Sequence, residues 1–214
     1  MKTTPAGHAT HLVCVRCGHR APIDDTTYVC PACGGNVRVQ YDLDAVKASW
    51  SRETLAKNPD RTIWRYLPIL PVTGRLPGPP VGWTPLVEAP NLAASLGLKR
   101  LRIKDDGRNP SASFKDRASS VAVQRARELG HTMVTGASTG NAASATAVLS
   151  AAVGMKARIF VPKAAPRAKI AQLLTFGAEV FAVDGTYDQA FDLCLEATRR
   201  YGWYNRNTGF NPYT

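Results

Sequence analysis

The chain has 214 residues and a formal charge of +11, with 44% hydrophobic and 20% charged residues. That balance excludes a disordered polyelectrolyte, which would carry too little apolar surface to fold. No run of eighteen apolar residues occurs and Met1 to Leu12 lack the apolar stretch of a secretory signal, so a membrane span is not expected and the default expectation is a cytoplasmic protein. The basic residues are scattered, which suits a solvated surface as well as a phosphate-binding role.

The first predicted unit, residues 1–40, is a zinc ribbon of short strands and tight turns. Cys14 and Cys17 form one C-x2-C knuckle and Cys30 and Cys33 a second, twelve residues on, each pair followed by glycine. Four thiolates in two facing knuckles make the tetrahedral S4 set that Zn²⁺ prefers, with no open position, so the metal is expected to be structural. Disulfides are the alternative, and a reducing cytosol disfavours them. A nucleic-acid ribbon would add basic and aromatic residues on one face. Here only Arg16, His19, Arg20 and Tyr28 qualify, against Asp24 and Asp25. Nucleic acid is therefore not the expected partner.

Residues 41–80 are predicted as a helix followed by a linker. Leu43, Val46, Trp50 and Leu55 share a helical face up to about residue 60, and the proline-rich stretch from Pro59 to Pro80 is too broken for a helix. From 81 to 130 the pattern gives a short strand at Leu101–Lys104, a turn with Gly107, Asn109 and Pro110, and a helix from near Ser113 to Leu129 with Ser113 or Ser111 as its cap. Lys115 falls in the first turn of that helix. An ammonium there opposes the positive helix end, which favours a neutral, nucleophilic amine.

From 131 to 214 strand and helix signals alternate. Strands are predicted at Thr132–Thr135, Ala157–Val161, Glu179–Val183 and Trp203–Arg206, and helices at Asn141–Val153, Pro166–Phe176 and Tyr187–Tyr201. Such alternation gives a parallel α/β sheet covered on both faces. The turn carrying Ser138, Thr139 and Gly140 joins a strand to the helix that starts at Asn141, a ready anion site that on its own also reads as a capped turn. Cys194 reads as a buried small hydrophobe. No strand is followed by G-x-G-x-x-G or a Walker-type loop, which disfavours a nucleotide-binding domain.

Three motifs carry a family resemblance. Asn109-Pro110-Ser111-Ala112-Ser113-Phe114-Lys115-Asp116-Arg117 resembles the cofactor-lysine motif of the fold-type II pyridoxal-phosphate enzymes, and of the threonine synthases among them. Gly82-Trp83-Thr84-Pro85-Leu86 is similar to their Gly-x-Thr-Pro-Leu segment, and Ser138-Thr139-Gly140-Asn141 to their Ser-x-Gly-Asn loop, which puts Asn141 twenty-six residues after the lysine. Ala118 departs from a frequent glycine.

The resemblance implies a tryptophan synthase β-like α/β fold with open parallel sheets. Lys115 is then the Schiff-base lysine and proton shuttle for pyridoxal 5′-phosphate. Asn141 holds the 3′-oxygen of the pyridoxal ring, and Phe114 packs beside the ring. Ser138, Thr139 and Gly140 take a substrate carboxylate or phosphate, with Thr208 and Asn211 as further substrate contacts.

The implied activity converts O-phospho-L-homoserine, a small amino-acid phosphate, and water to L-threonine and phosphate, in a protein that is a homodimer when full length. The family's Gly-rich phosphate loop and the Ser or Thr facing the pyridine nitrogen are not found. The expectation is therefore a fragment, lacking the rest of the large domain begun at 81–130, that binds the cofactor poorly. Alternatives are a serine/threonine dehydratase, a cysteate-synthase-like enzyme, or a non-catalytic zinc-ribbon nucleic-acid-binding protein.

Overall fold

The computed structural model describes residues 7–24 and 27–214. Asp25, within the predicted ribbon hairpin, and the first six residues of the predicted ribbon lie outside the described residues.

The ribbon is a three-stranded antiparallel sheet in the order β2-β1-β3, with β1 at Ala9–Cys14, β2 at Arg20–Ala21 and β3 at Val37–Tyr41. Its small core gathers Leu12, Cys14, Ile23, Cys30 and Val37, joined by Tyr213 from the far end of the chain. Tyr28, counted above with an exposed basic face, instead has its ring against Phe210 and Tyr204 of the body. The aromatic that would serve nucleic acid is thus engaged elsewhere.

The helix predicted over 41–60 is two helices, α1 at Leu43–Ser49 and α2 at Arg52–Lys57. They break at Trp50 because Ser51 and Thr54 form a reciprocal capping box that starts a new helix. Of the predicted apolar face only Val46 is buried, and Leu43 is exposed. The proline-rich stretch is also more than a linker. Ile63–Ile69 forms a 3₁₀ helix that accommodates Pro68. Ile63, Trp64, Val72, Leu76 and Val81 enter the largest apolar cluster. Glu128 fastens the stretch by accepting from the Thr73 and Gly74 N–H groups at 2.8 and 2.9 Å. Burial of five large side chains, at roughly 1.5–3 kcal/mol each, outweighs the absent regular pattern.

β4 (Leu86–Glu88) and β5 (Arg102–Lys104) form an antiparallel pair, with α3 (Pro90–Ser95) between them. The predicted lysine helix is α4, Lys115–Glu128. Beyond it a four-stranded all-parallel sheet runs in the order β8-β7-β6-β9, from β6 (Met133–Ala137), β7 (Lys156–Pro162), β8 (Glu179–Val183) and β9 (Tyr204–Asn205). Helices α5 (Asn141–Ala152), α6 (Arg167–Thr175) and α7 (Tyr187–Tyr201) connect them. The predicted alternation is thus present, with no end shifted by more than two residues. Val121, Ala122 and Val123 of α4 share one cluster with Val134, Leu149 and Tyr204, so α4 packs against the sheet. Among the described residues, no helix is long and apolar enough to cross a membrane.

Candidate functional site

Topology decides where the predicted groups meet. α4 ends at Glu128 and the chain enters β6 at Met133, so α4 runs against the strand direction; α5 leaves the far end of β6 and does the same. The two helices pack on each other, and both begin at the carboxyl edge of the parallel sheet. Lys115 heads α4 and Asn141 heads α5. β9 runs parallel beside β6, so the segment that follows it, Arg206 to Asn211, emerges at that same edge. In open parallel sheets this edge is where ligands bind.

The lysine turn is held by a hydrogen-bonded lattice. The Arg117 guanidinium donates from Nε and Nη2 to the two Asp106 carboxylate oxygens, at 3.1 and 2.7 Å, and from Nη2 to Thr84 Oγ1 at 3.2 Å. Thr84 Oγ1 donates to Asp106 at 2.6 Å, and the Gly82 N–H to Asn109 Oδ1 at 2.9 Å. Lys104 Nζ donates to the Thr84 carbonyl. The Gly-x-Thr-Pro-Leu segment is thereby fastened to the loop that carries the lysine. Inside the turn, buried Asp116 accepts from the Ser111 N–H and, at 2.7 Å, from the Ser111 hydroxyl. Burial raises the Asp116 carboxyl above its ordinary range, with the Ser111 bonds opposing that rise.

Neither serine caps α4 as predicted. The cap residue is Phe114, with no side-chain cap bond, because Ser111 is committed to Asp116. Ser113 Oγ accepts from the Lys115 N–H at 3.2 Å. Ala112 sits at φ 57°, a left-handed conformation that costs a residue with a Cβ about 1–2 kcal/mol. The lattice around it outweighs that strain.

Bonding to Arg117 holds the Asp106 carboxyl down at about 2, below the ordinary 3.8. A carboxylate with a depressed folded pKa adds stability above its unfolded pKa and loses it as pH falls through the folded value. Asp106→Asn is therefore expected to destabilise the protein by about 1 kcal/mol at pH 6, the shift being discounted because water screens this partly exposed pair. The gap to wild type should close between about pH 4 and pH 2 in urea titrations.

Lys115 is partly exposed, with its Nζ 4.5 Å from the centre of the exposed Phe114 ring. In the facing turn, Gly140 caps α5 without a side-chain cap, and its N–H donates to Ser138 Oγ at 3.2 Å. A Cβ built on Gly140 meets nothing within 4 Å, so the backbone there faces open space. Ser138 and Thr139 are half-buried and Asn141 is exposed.

The tail differs from expectation. Thr208 is exposed and its hydroxyl accepts from Arg206 Nη1 at 3.1 Å. Asn211 is buried, and its amide holds the tail turn, donating to the Asn205 carbonyl at 2.6 Å and accepting from the Tyr213 N–H at 2.8 Å. That amide is engaged with the backbone of its own turn. Cys194 is buried as expected, but it also meets the Thr135 hydroxyl and the Asn205 and Asn207 amides at 3.6–3.8 Å.

Two neighbours went unforeseen. Asn207 Oδ1 accepts from the Ala137 N–H at 2.8 Å, fixing the strand end from which the Ser138–Asn141 turn departs. Arg206 is 3% exposed, bonded through Nε to Ser119 on α4, and its Nη2 finds no partner among the described residues. Burial pushes its guanidinium down to about 10. A buried guanidinium with an unsatisfied donor asks for an anion nearby. The one local trace is Asn205-Arg206-Asn207, three strongly polar residues closing the strand predicted at Trp203–Arg206, and it forms no motif.

These features fit the group the motifs imply: a lysine amine to condense with an aldehyde, uncapped helix amides and an orphaned buried cation suited to phosphate or carboxylate.

The four cysteines also fit a metal. Their Sγ atoms lie within 4.8 Å of one another, with Cys14–Cys33 and Cys17–Cys30 at 3.6 Å, and none forms a disulfide. A tetrahedron of Zn–S bonds of about 2.3 Å has edges of about 3.8 Å. Gly18 and Gly34 take left-handed conformations after each knuckle, and a Cβ on Gly35 would stand 3.3 Å from two of the sulfurs. The amides reaching the Cys14 sulfur are those of Arg16 and Cys17 and not the glycines'. The Cys17 N–H draws the Cys14 thiol down to about 6.

Residues 78–214 match the family described as pyridoxal-phosphate dependent enzyme. The chain is 37% identical over 203 residues to threonine synthase of Methanocaldococcus jannaschii, an alignment covering 94% of this chain and 49% of that protein. It is 35% identical to threonine synthase of Methanosarcina acetivorans, covering 95% and 49%. The chain thus spans about half the length of the curated relatives it matches. Among solved structures, the processed form of threonine deaminase isoform 2 from Solanum lycopersicum superposes with a TM-score of 0.52 at 28% identity, over 57% of this chain and 34% of that one.

Proposed function

Since the chain belongs to the pyridoxal-phosphate dependent enzymes of fold type II, we propose that it carries the lysine side of a threonine synthase active site, for conversion of O-phospho-L-homoserine and water to L-threonine and phosphate. The observation that supports this most is the meeting of Lys115, the Ser138–Asn141 turn and Arg206 at one sheet edge, in a chain similar to threonine synthases along nearly all its length.

Pyridoxal phosphate, when bound, supplies the electron sink for carbanion chemistry. The chain's residues do the rest. Lys115 anchors the cofactor through its amine and then moves protons at Cα and Cβ of the substrate. Asn141 donates to the oxygen on the pyridine ring, and Phe114 walls the ring's side. Ser138, Thr139 and the Gly140 N–H bind the substrate's carboxylate or phosphate, aided by the positive end of α5. Thr208 stands beside Arg206 as a weaker substrate contact. The Cys14, Cys17, Cys30 and Cys33 set holds a structural Zn²⁺. The working form is a cytoplasmic homodimer, and residues 81–130 belong to the large domain while 131–214 form the small one.

A dehydratase is the second reading, favoured by the likeness to a threonine deaminase. Turnover by a full-length protein that contains this chain separates them. Phosphate release with threonine formation from O-phospho-L-homoserine is the expected outcome. 2-Oxobutanoate formed from threonine, with no phosphate release, would replace this reading by the dehydratase.

A further inference from the structure

The ribbon grips the segment that supports the candidate site. The Tyr28 ring stacks on Phe210 with centroids 4.9 Å apart and 15° between planes, and meets Tyr204 edge-on at 6.0 Å. The Tyr28 hydroxyl accepts from the Asn205 N–H at 3.0 Å. At the other end of the segment, the Tyr213 ring is buried in the ribbon's own core, under the Arg125 guanidinium at 5.2 Å. Residues 204–213 are thus held at both ends by a unit some 180 positions away in sequence (213 against 30).

Between those ends the segment faces the sheet edge. The Arg206 N–H donates to the Thr135 carbonyl at 2.8 Å, and Asn207 Oδ1 receives the Ala137 N–H. Asn207 Oδ1 also stands 3.2 Å from where a Cβ on Gly136 would lie, so the fit there is close. A contiguous chain of contacts therefore runs from Tyr28 through Asn205 and Asn207 to Ala137, the residue before Ser138. Nothing in a structural metal site requires its neighbouring tyrosine to bond the backbone of another unit's edge strand.

We infer that Tyr28 is a positioning residue through which the cysteine ribbon sets the Ser138–Asn141 turn. The consequence for ligand binding rests on the reading of that turn as an anion site; the coupling itself does not.

Hydrogen exchange resolved at single amides tests it in the whole protein, without cofactor or substrate. Tyr28→Phe keeps the ring stack and removes the acceptor. The Asn205 amide should exchange about fivefold to tenfold faster, and the Ala137 amide at least about threefold faster. Tyr28→Ala should accelerate Asn205, Ala137 and Ser138 about tenfold or more, with Ile159 and Val161 in β7 unchanged and zinc retained. In the same variant the dissociation constant for inorganic phosphate should rise about threefold or more, and Tyr28→Phe should recover most of it.

Wild-type rates at Ala137 in both variants, or in Tyr28→Phe alone if Tyr28→Ala does not fold, would overturn the inference. Accelerated exchange with unchanged phosphate affinity would uphold the coupling and remove the anion reading instead.

Discussion

Lys115→Ala, made in a full-length protein that contains this chain, is expected to lower threonine formation by about 10²- to 10⁴-fold or more, the range a positioned proton-transfer group contributes, while leaving the fold intact. The argument is one of chemistry and placement. The side chain is partly exposed, and the neighbour the structure gives it is the exposed Phe114 ring, so its removal opens no cavity in the core. Surface changes of that kind shift stability by about 0.5 kcal/mol or less. Lys115→Arg sharpens the test. Arginine keeps the positive charge and the stem but does not deprotonate, so it is no nucleophile. Both variants should be equally inactive. An active arginine variant would mean that position 115 supplies only charge.

The second large effect concerns the metal. Cys14 and Cys30 are buried in the ribbon core, and that core is too small to hold its strands by apolar burial alone. Zinc binding to such sites is worth about 10–16 kcal/mol in isolated fingers, and that energy is folding energy. Cys30→Ser is therefore expected to reduce zinc from one ion per chain to none and to melt β1, β2 and β3. Far-ultraviolet circular dichroism and exchange should show the parallel sheet intact, since Ile159, Val161 and Leu173 pack in a separate cluster. Loss should reach the tail through Tyr213. A wild-type mass lower by four hydrogens, with no zinc, would mean two disulfides instead.

The parallel sheet and its helices were legible because their signals are local. Glu179–Val183 and Tyr187–Tyr201 fall on the predicted bounds, the helix carrying its own Thr186 and Gln189 capping box and a left-handed Gly202 at its end. Lys115, the Ser138–Asn141 turn and the cysteine knuckles were legible as motifs, since each is a short run with fixed spacing. What stayed hidden depends on partners far along the chain. The stretch from Ile63 to Val81 has no periodicity, and it becomes core only because α4 and β6 offer an apolar surface. Asn211 was legible as part of a family-like loop, but not the bonds of its amide to the Asn205 and Tyr213 backbone. Arg206 and Tyr28 carry no motif. Their meaning comes from Ser119, eighty-seven positions away, and Asn205, 177 positions away.

The most direct test is borohydride reduction of a full-length protein that contains this chain, with pyridoxal phosphate present, followed by peptide mapping. The phosphopyridoxyl mass should sit on the peptide containing Lys115 and disappear in Lys115→Ala. Label spread over other lysines, or persisting on that peptide in the alanine variant, would contradict the assignment of the anchoring amine and with it the reaction.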